Sequence, residues 1–335
     1  MTNNEILKKS LRHYIDLEYY ANGVDEEMQS LLDELIRECN KIIDSQPSYN
    51  TKAQYSSSFK PIKEKITEFG LMLYDRLEEE AELIMNEEEK FLRTLYSKED
   101  AEILLQKEDN GDESEERYEE EGRNIPVVSE KPSAALTFAG ISLAKILFAP
   151  IDGRDTAKQF AERTQKNILS AYDNSLRAGY LFGQKSEDIK NQINGKMKQI
   201  SNSMQAGIQT AIPSFAKNTD RIFFKQNNIE VVWCAVLDGK GCLVCYSYNG
   251  LHFKSVALAP NIPHNRCRCI LQPANLITEP LPTYEEYIES LSDKEQYHIL
   301  GKNRYELWKD GKITLQKFIN NGTKIKLDEL NLSSN

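Results

Sequence analysis

The residues best suited to chemistry lie close together in the last third of the chain. Five of the six cysteines fall within residues 234–269, and four of them form two pairs, Cys-x-x-Cys and Cys-x-Cys, on either side of a histidine. A Cys-x-x-Cys turn can present two sulfur atoms to one ion, and Zn²⁺ prefers four Cys or His ligands in a tetrahedron. The spacing therefore predicts a structural metal site, with Zn²⁺ as the expected ion. We call its five candidate ligands the cysteine cluster: Cys242, Cys245, His264, Cys267 and Cys269.

This cluster offers five donors for the four places around one zinc ion. Cys242, Cys245 and His264 are the first three expected ligands. Cys267 and Cys269 compete for the fourth place, because residues two apart on an extended strand face the same side. The tighter His-x-x-Cys spacing favours Cys267. The alternative is a group of buried or disulfide-bonded thiols without a metal.

A catalytic role for this metal is not expected. A catalytic zinc keeps an open coordination position with a general acid or base beside it. Asp238 could be that carboxylate, but an Asp before a Gly-rich turn is better explained as a turn-forming residue. The chain also lacks the His-Glu-x-x-His of zinc proteases, the phosphate-binding Gly-Lys-Ser/Thr and the zinc-deaminase signature. We therefore predict no catalytic residues and no enzyme.

Basic residues near the cluster raise the question of DNA binding. The net charge of −10 argues against nucleic-acid binding across the whole surface, although it leaves room for a local basic patch. Such a patch could contact DNA phosphates, acidic residues of a partner protein, or only solvent. Its candidate members are Arg266, Arg268, Lys240 and Lys254.

The elements that must position the cluster are mostly predicted helices. Apolar residues recur at 3–4 spacing in the N-terminal region, which predicts long helices that form a bundle or a coiled-coil seam. Asn22-Gly23 is expected to end the first helix and Asp25 to cap the next. Residues 45–61 are expected to form a loop, with Pro61 in the first turn of the following helix.

The sequence pattern changes near residue 231. Residues 231–237 are apolar on both faces, which predicts a buried strand that carries Cys234 in its core. Short strands are expected near 251–253 and 269–271. The predicted fold class is α+β and predominantly helical: long N-terminal helices, a helical middle domain, a small zinc-stabilised β-module and a helical C-terminal tail.

Composition places the domain boundaries. Residues 108–121 contain nine acids and one Arg, a like-charge run typical of a solvated linker. The predicted regions are an N-terminal helical region 1–107, an acidic linker 108–131, a helical body 132–228, a metal-binding β-module 229–273 and a C-terminal helical tail 274–335.

An apolar segment at 132–151 requires a membrane test. Lys145 interrupts it and Pro150 closes it, so its unbroken apolar part is short for a span. A buried or interfacial helix is the main expectation, and a membrane-active segment is the alternative. No secretory signal is visible after Met1, so reduced thiols are expected, and these favour metal ligation over disulfides.

In their order along the chain, these features resemble the phage head morphogenesis family, the Mu-F-like minor head proteins of tailed phages. The resemblance covers roughly half of the chain, and its specific part is the cysteine signature. One departure is at residues 208–211, where many members have Arg-Thr-Glu and this chain keeps only Thr210. The matching stretches are Trp233–Asp238, Cys242 with Cys245, Asn249–Leu251, Pro263–Cys269, Pro150–Gly153, Tyr284–Tyr287 and Leu300–Arg304.

The resemblance implies a minor structural protein of the virion, made in the cytoplasm of the bacterial host and placed at the portal vertex inside the head. Its implied role is head assembly, DNA packaging or genome delivery. Its implied partners are the portal protein, other head proteins and packaged DNA, and association with the portal ring would make it oligomeric. Two other classes remain as alternatives: a metal-dependent enzyme acting on nucleic acid, and a zinc-stabilised DNA-binding protein.

Overall fold

A computed structural model shows a mostly helical chain with a small antiparallel sheet, as the predicted fold class requires. The predicted acidic linker 108–131 lies outside the described residues, as do Asp152-Gly153, Pro263 and Asn265. The structure describes residues 3–96, 136–151, 154–261, 264, 266–320, 323–327 and 329–330.

Four long helices and one short helix form the body of the described structure. Their apolar faces share one core, which also includes residues of the sheet. Helices on both sides of the predicted linker therefore pack together, because each has an apolar face to bury. The five helices are α1 (Asn3–Asp44), α2 (Lys52–Leu95), α3 (Leu143–Phe148), α4 (Ala157–Phe182) and α5 (Ser186–Gln226).

Helix α1 does not end at Asn22-Gly23, so that prediction is wrong. Asp25 is buried and caps nothing. Its two carboxylate oxygens instead accept hydrogen bonds from Gln29 in the next turn and from Gln205 on α5, at 3.2 and 2.9 Å. Contacts with α5 thus outweigh the cost of one glycine inside the helix, which is about 1 kcal/mol relative to alanine.

Helix α2 begins earlier than the sequence suggested. Thr51 and Gln54 form a capping box in which each side chain bonds the other residue's backbone N–H. This cap starts the helix well before Pro61, which lies inside the helix and forfeits one backbone hydrogen bond there. The prediction of a loop through 45–61 was therefore wrong for its second half.

Helices α4 and α5 approach closely where Gly207 of α5 meets Phe160 of α4. A β-carbon added at Gly207 would lie 2.0 Å from the ring of Phe160, so only glycine permits this approach. Within the described part of the apolar segment, residues 136–151, the short helix α3 spans Leu143–Phe148 and buries Ile146. None of the described helices has the length and apolar character that a membrane span needs.

A three-stranded antiparallel sheet follows α5. Its strand order is β2-β1-β3, so the apolar strand β1 is central and is buried along its whole length. Val232 pairs with His252 on one side and with Gln272 on the other. The strands are β1 (Val231–Cys234), β2 (His252–Phe253) and β3 (Ile270–Pro273), and a 3₁₀ turn at Ala274–Leu276 follows.

The C-terminal tail packs over the segment between β1 and β2. That segment contains the short helix α6 (Leu243–Ser247), whose Leu243 and Tyr246 lie in a core with residues of the tail. Capping boxes start two tail helices. The tail elements are α7 (Tyr284–Ser290), α8 (Asp293–Leu300), α9 (Lys302–Lys309), a 3₁₀ turn (Leu315–Phe318), β4 (Ile319–Asn320) and β5 (Thr323–Lys324).

Candidate metal centre

The first half of the cysteine cluster sits on helix α6. Cys242 is its N-cap residue, and the Cys242 sulfur accepts a hydrogen bond from the backbone N–H of Cys245 at 3.4 Å. Just before it, the N–H of Gly241 donates to the hydroxyl of Tyr246 at 2.7 Å. The Cys-x-x-Cys spacing therefore forms a single capped turn, which places both sulfur atoms on one side.

The second half lies on the chain that leads into β3, and α5 fixes its backbone. Arg266 has a left-handed backbone with φ of 57°, and its N–H donates to the hydroxyl of Thr210 at 2.8 Å. Lys217 is buried, and its ammonium donates to the carbonyl of Cys267. Arg221 donates to the carbonyls of residues 256, 259 and 260 in the preceding loop.

All five predicted donors come together, in two triads that share Cys245. One triad adds Cys242 and His264 to Cys245, the other adds Cys267 and Cys269, and the ligand atoms within each triad lie within 4.8 Å of one another. The sequence prediction placed Cys267 ahead of Cys269, whereas the structure brings both to Cys245. A Cys/His cluster that could hold a metal ion is thus present.

Distances within the cluster can be compared with those of a tetrahedral ion. With Zn–S bonds of about 2.3 Å, two sulfur ligands of one ion lie about 3.8 Å apart. The sulfurs of Cys245 and Cys267 are 3.7 Å apart. The Cys245 sulfur lies 3.0 Å from Nε2 of His264, closer than the roughly 3.5 Å between S and N ligands of one zinc ion. The donor set fits a thiophilic ion once the Cys245 sulfur and Nε2 of His264 move apart by about 0.5 Å.

Proton sharing among the thiols supports this fit. Hydrogen bonding with Cys245 lowers the pKa of Cys242 to about 4 and that of Cys267 to about 2. The same bonds raise the pKa of Cys245 itself. The pKa of Cys269 is about 12, because the lowering effect of its bond with Cys245 is outweighed by its bond with Cys267 and by burial. Crowded thiols cannot all ionise alone, whereas a divalent cation stabilises all the thiolates together.

Asp238 forms part of the turn before the cluster. It also forms an ion pair with Arg268, which lies in the second half of the cluster. Its Oδ1 accepts the N–H of Lys240 at 3.0 Å, which closes the turn. Its two oxygens also accept hydrogen bonds from the two terminal nitrogens of Arg268, at 2.5 and 2.8 Å. This bidentate pair lowers the pKa of Asp238. Both carboxylate oxygens of Asp238 are therefore engaged by Arg268.

The four basic residues do not form one patch of free charges. Arg268 is engaged by Asp238, and Arg266 donates to the side-chain oxygen of Gln205 at 3.4 Å. Lys240 and Lys254 are exposed. Cys234, outside the cluster, is buried in β1, and burial raises its pKa to about 12.

Sequence reasoning missed the support that α5 provides. Thr210 was recognised only as the remnant of a family motif, and Lys217 and Arg221 were not singled out. In the sequence they stand in a polar run, residues 217–221, that is typical of a solvated helix face, whereas the structure buries Lys217–Asp220. A buried cation on a helix needs an acceptor, and here the acceptors are the carbonyl of Cys267 and carbonyls of the loop before His264.

Comparisons with known proteins add no relative to this picture. No protein-family model matches the sequence. No curated protein and no solved structure matches it either. A proposal for the function therefore depends on the chemistry of the cluster and on its place in the fold.

Proposed function

We propose that this chain is a minor head protein of a tailed phage, attached to the portal and acting in head assembly, DNA packaging or genome delivery. The observation that supports the proposal is the cysteine cluster. Its five donors follow the order of the head-morphogenesis signature. They lie beside a small antiparallel sheet that packs on the helical body. Association with the portal ring and a place inside the virion belong to the same proposal.

In this proposal the bound ion is Zn²⁺ and its role is structural. Five donors exceed the four places of a tetrahedral site, so no position needs to stay open for water or substrate. The carboxylate nearest in sequence, Asp238, is held by Arg268. The ion would tie helix α6 to the chain that enters strand β3, and these two elements are separated in the sequence by β2 and the loop after it.

The decisive experiment locates the protein in the particle. Virions of a tailed phage that encodes this chain would be purified, and the ratio of its peptides to portal peptides measured by quantitative mass spectrometry. We expect a few copies per particle and chemical cross-links to the portal. Heads assembled without the chain should lack DNA or fail to deliver it. Absence of the chain from particles, despite its synthesis in infected cells, would contradict the proposal.

The alternatives predict different results with the same purified chain. A metal-dependent nuclease would degrade DNA, and its activity would disappear in Asp238→Ala although the metal is retained. A DNA-binding protein would bind DNA with an affinity that falls steeply with salt. We expect no DNA cleavage and only weak DNA binding, because Arg268 is already paired with a carboxylate.

A further inference from the structure

Two buried carboxyl groups meet at the junction of the three longest helices in the described structure. Glu88 of α2 is 1% exposed, and Asp220 of α5 is 7% exposed. We call these residues the carboxyl pair. Helix α1 supplies two partners beside them, His13 and Tyr14. The pair belongs to none of the features discussed above, and its residues are far apart in the sequence.

Hydrogen bonds run through the carboxyl pair in a chain. Nε2 of His13 lies 2.6 Å from Oε2 of Glu88 and can donate its proton there. The hydroxyl of Tyr14 donates to Oδ2 of Asp220 at 2.5 Å. Each carboxyl group thus has one oxygen satisfied by α1. The remaining oxygens, Oε1 of Glu88 and Oδ1 of Asp220, are buried and have no donor among the described residues.

These two oxygens belong to carboxyl groups that are hydrogen-bonding neighbours. If both groups were ionised, two buried acceptors would face each other without a donor, and burying such charges is costly. One proton between Oε1 and Oδ1 removes one negative charge and satisfies both oxygens. We propose that the carboxyl pair holds one shared proton, which joins α1, α2 and α5, and that this junction weakens as the solution becomes alkaline.

Titration of the pair is consistent with that assignment. Burial raises the pKa of Glu88 to about 8, against a smaller opposing effect of Asp220. Burial first, and the charge of Glu88 second, raise the pKa of Asp220 well above its ordinary value. Two such groups titrate as a unit, so the retained proton belongs to the pair.

Among the described residues, the groups around the pair do not supply a cation that would replace this proton. His13 is stacked on Phe91, and burial lowers its pKa, so it is neutral at neutral pH. Lys217, one turn before Asp220, donates its ammonium to the carbonyl of Cys267. The other titratable or charged groups that face the pair or flank it are Tyr14, Tyr96, Asp16 and Arg221.

A small cavity provides the competing explanation. Asp220 lines it together with Trp233, whose indole N–H has no acceptor among the described residues. Its volume is about 20 Å³, enough for one water, since the minimum is about 10–15 Å³. A water there could donate to Oδ1 of Asp220 and leave both carboxyl groups ionised. The two explanations differ in how stability depends on pH.

The sign of that dependence follows from proton binding. The folded chain keeps a proton that the unfolded chain releases above its ordinary carboxyl pKa of about 4.5. The stabilising contribution of the shared proton is therefore complete below that pH and decreases as the pH rises. It is lost only through the pKa of Asp220, which burial and the charge of Glu88 raise above the value of about 8 at which Glu88 ionises. Because unfolding releases this proton, the unfolding equilibrium constant rises about tenfold for each unit of increasing pH. The rise levels off near the pKa of the folded pair. His13 is neutral in both states above pH 7 and does not contribute there.

The test measures urea unfolding of the full chain, saturated with Zn²⁺, by helical circular dichroism from pH 6 to pH 9. Glu88→Gln places an amide donor where the shared proton would lie, so it should abolish most of the pH dependence. The matched control is Glu80→Gln. Glu80 is also buried on α2, but it accepts from Arg76 at 2.6 Å and Tyr20 at 3.1 Å, so its variant should keep the wild-type slope.

Two outcomes would overturn the proposal. The first is a wild-type pH slope in Glu88→Gln, which would assign the dependence to other groups. The second is read from the infrared spectrum of the wild-type chain, which should keep one protonated-carboxyl band above pH 6. Loss of that band by pH 6 would show that the pair is fully ionised and that the cavity water satisfies it. The infrared measurement decides the question even if Glu88→Gln does not fold.

Discussion

The cysteine cluster and the carboxyl pair both bring acidic groups into hydrogen-bonding distance in a buried environment, and helix α5 contributes to both. In the cluster, α5 holds the backbone around Cys267 through Thr210 and Lys217. In the pair, α5 provides Asp220 itself. The difference lies in what neutralises the acids. The thiols, with near-tetrahedral spacing, could be neutralised by a divalent cation, whereas in our proposal the two carboxyl groups share a single proton.

This difference has opposite consequences for pH dependence. Thiols must lose protons to bind a metal, so acid weakens the cluster. The carboxyl pair must keep a proton, so alkali weakens it. A helix that supports both should be most stable near neutral pH. The two regions can therefore be separated experimentally, by metal removal for one and by alkaline pH for the other.

The largest expected effect is on the cluster side. Cys245 belongs to both donor triads, so Cys245→Ala leaves neither triad complete. A structural zinc contributes about 10–16 kcal/mol of binding energy that is coupled to folding. We predict that this variant loses its metal and that the 229–273 segment unfolds, while the helical signal of the body is largely retained. Metal content after gel filtration and circular dichroism would measure both effects.

Cys234→Ala is the matched control, because Cys234 is also buried but lies outside the cluster. It should retain one metal ion per chain. Chelation of the wild-type chain should reproduce the Cys245→Ala result. A single melting transition that neither chelator nor Cys245→Ala changes would show that the cluster does not hold a stabilising metal.

The contrast also explains what could be predicted from the sequence. The cluster was recognisable because metal ligands follow local spacing rules, and the β-formers at 231–237 indicated the sheet that carries them. The carboxyl pair had no such signal, since Glu88 lies among other acids on α2 and Asp220 is distant in the sequence. The continuity of α1 through Asn22-Gly23 was missed for a related reason. It depends on contacts with α5, and helix propensity alone does not reveal them.

A second prediction addresses the pair. Tyr14→Phe removes the donor to Oδ2 of Asp220 and leaves a buried carboxyl oxygen unsatisfied. Such a loss costs about 1–3 kcal/mol of unfolding free energy. The control is Tyr19→Phe on the same helix, because Tyr19 is exposed and should be neutral. Urea unfolding at pH 6 would measure both, and equal stabilities of the two variants would exclude a structural role for the Tyr14–Asp220 bond.

The third prediction concerns the support that α5 gives to the metal. Lys217→Met removes the bond to the Cys267 carbonyl and a positive charge that favours the thiolate forms of Cys267 and Cys269. Loss of an outer-shell partner weakens metal binding by about 10–100-fold. Competition with a chelator of known affinity would measure this change. Lys225→Met, an exposed lysine on the same helix, should bind the metal as the wild type does.

The smallest expected effect is at Asp238, and it distinguishes a turn-forming residue from a catalytic base. Asp238 and Arg268 are both partly exposed, so their ion pair contributes at most about 1 kcal/mol. The pKa of Asp238 is lowered chiefly by Arg268, so this contribution is present at neutral pH and is lost only in acid. We predict that Asp238→Asn lowers the urea midpoint slightly and leaves metal content unchanged, because the amide still accepts the N–H of Lys240. A metal-dependent activity abolished by this substitution would instead make Asp238 part of an active site, and the cluster could then no longer be treated as purely structural.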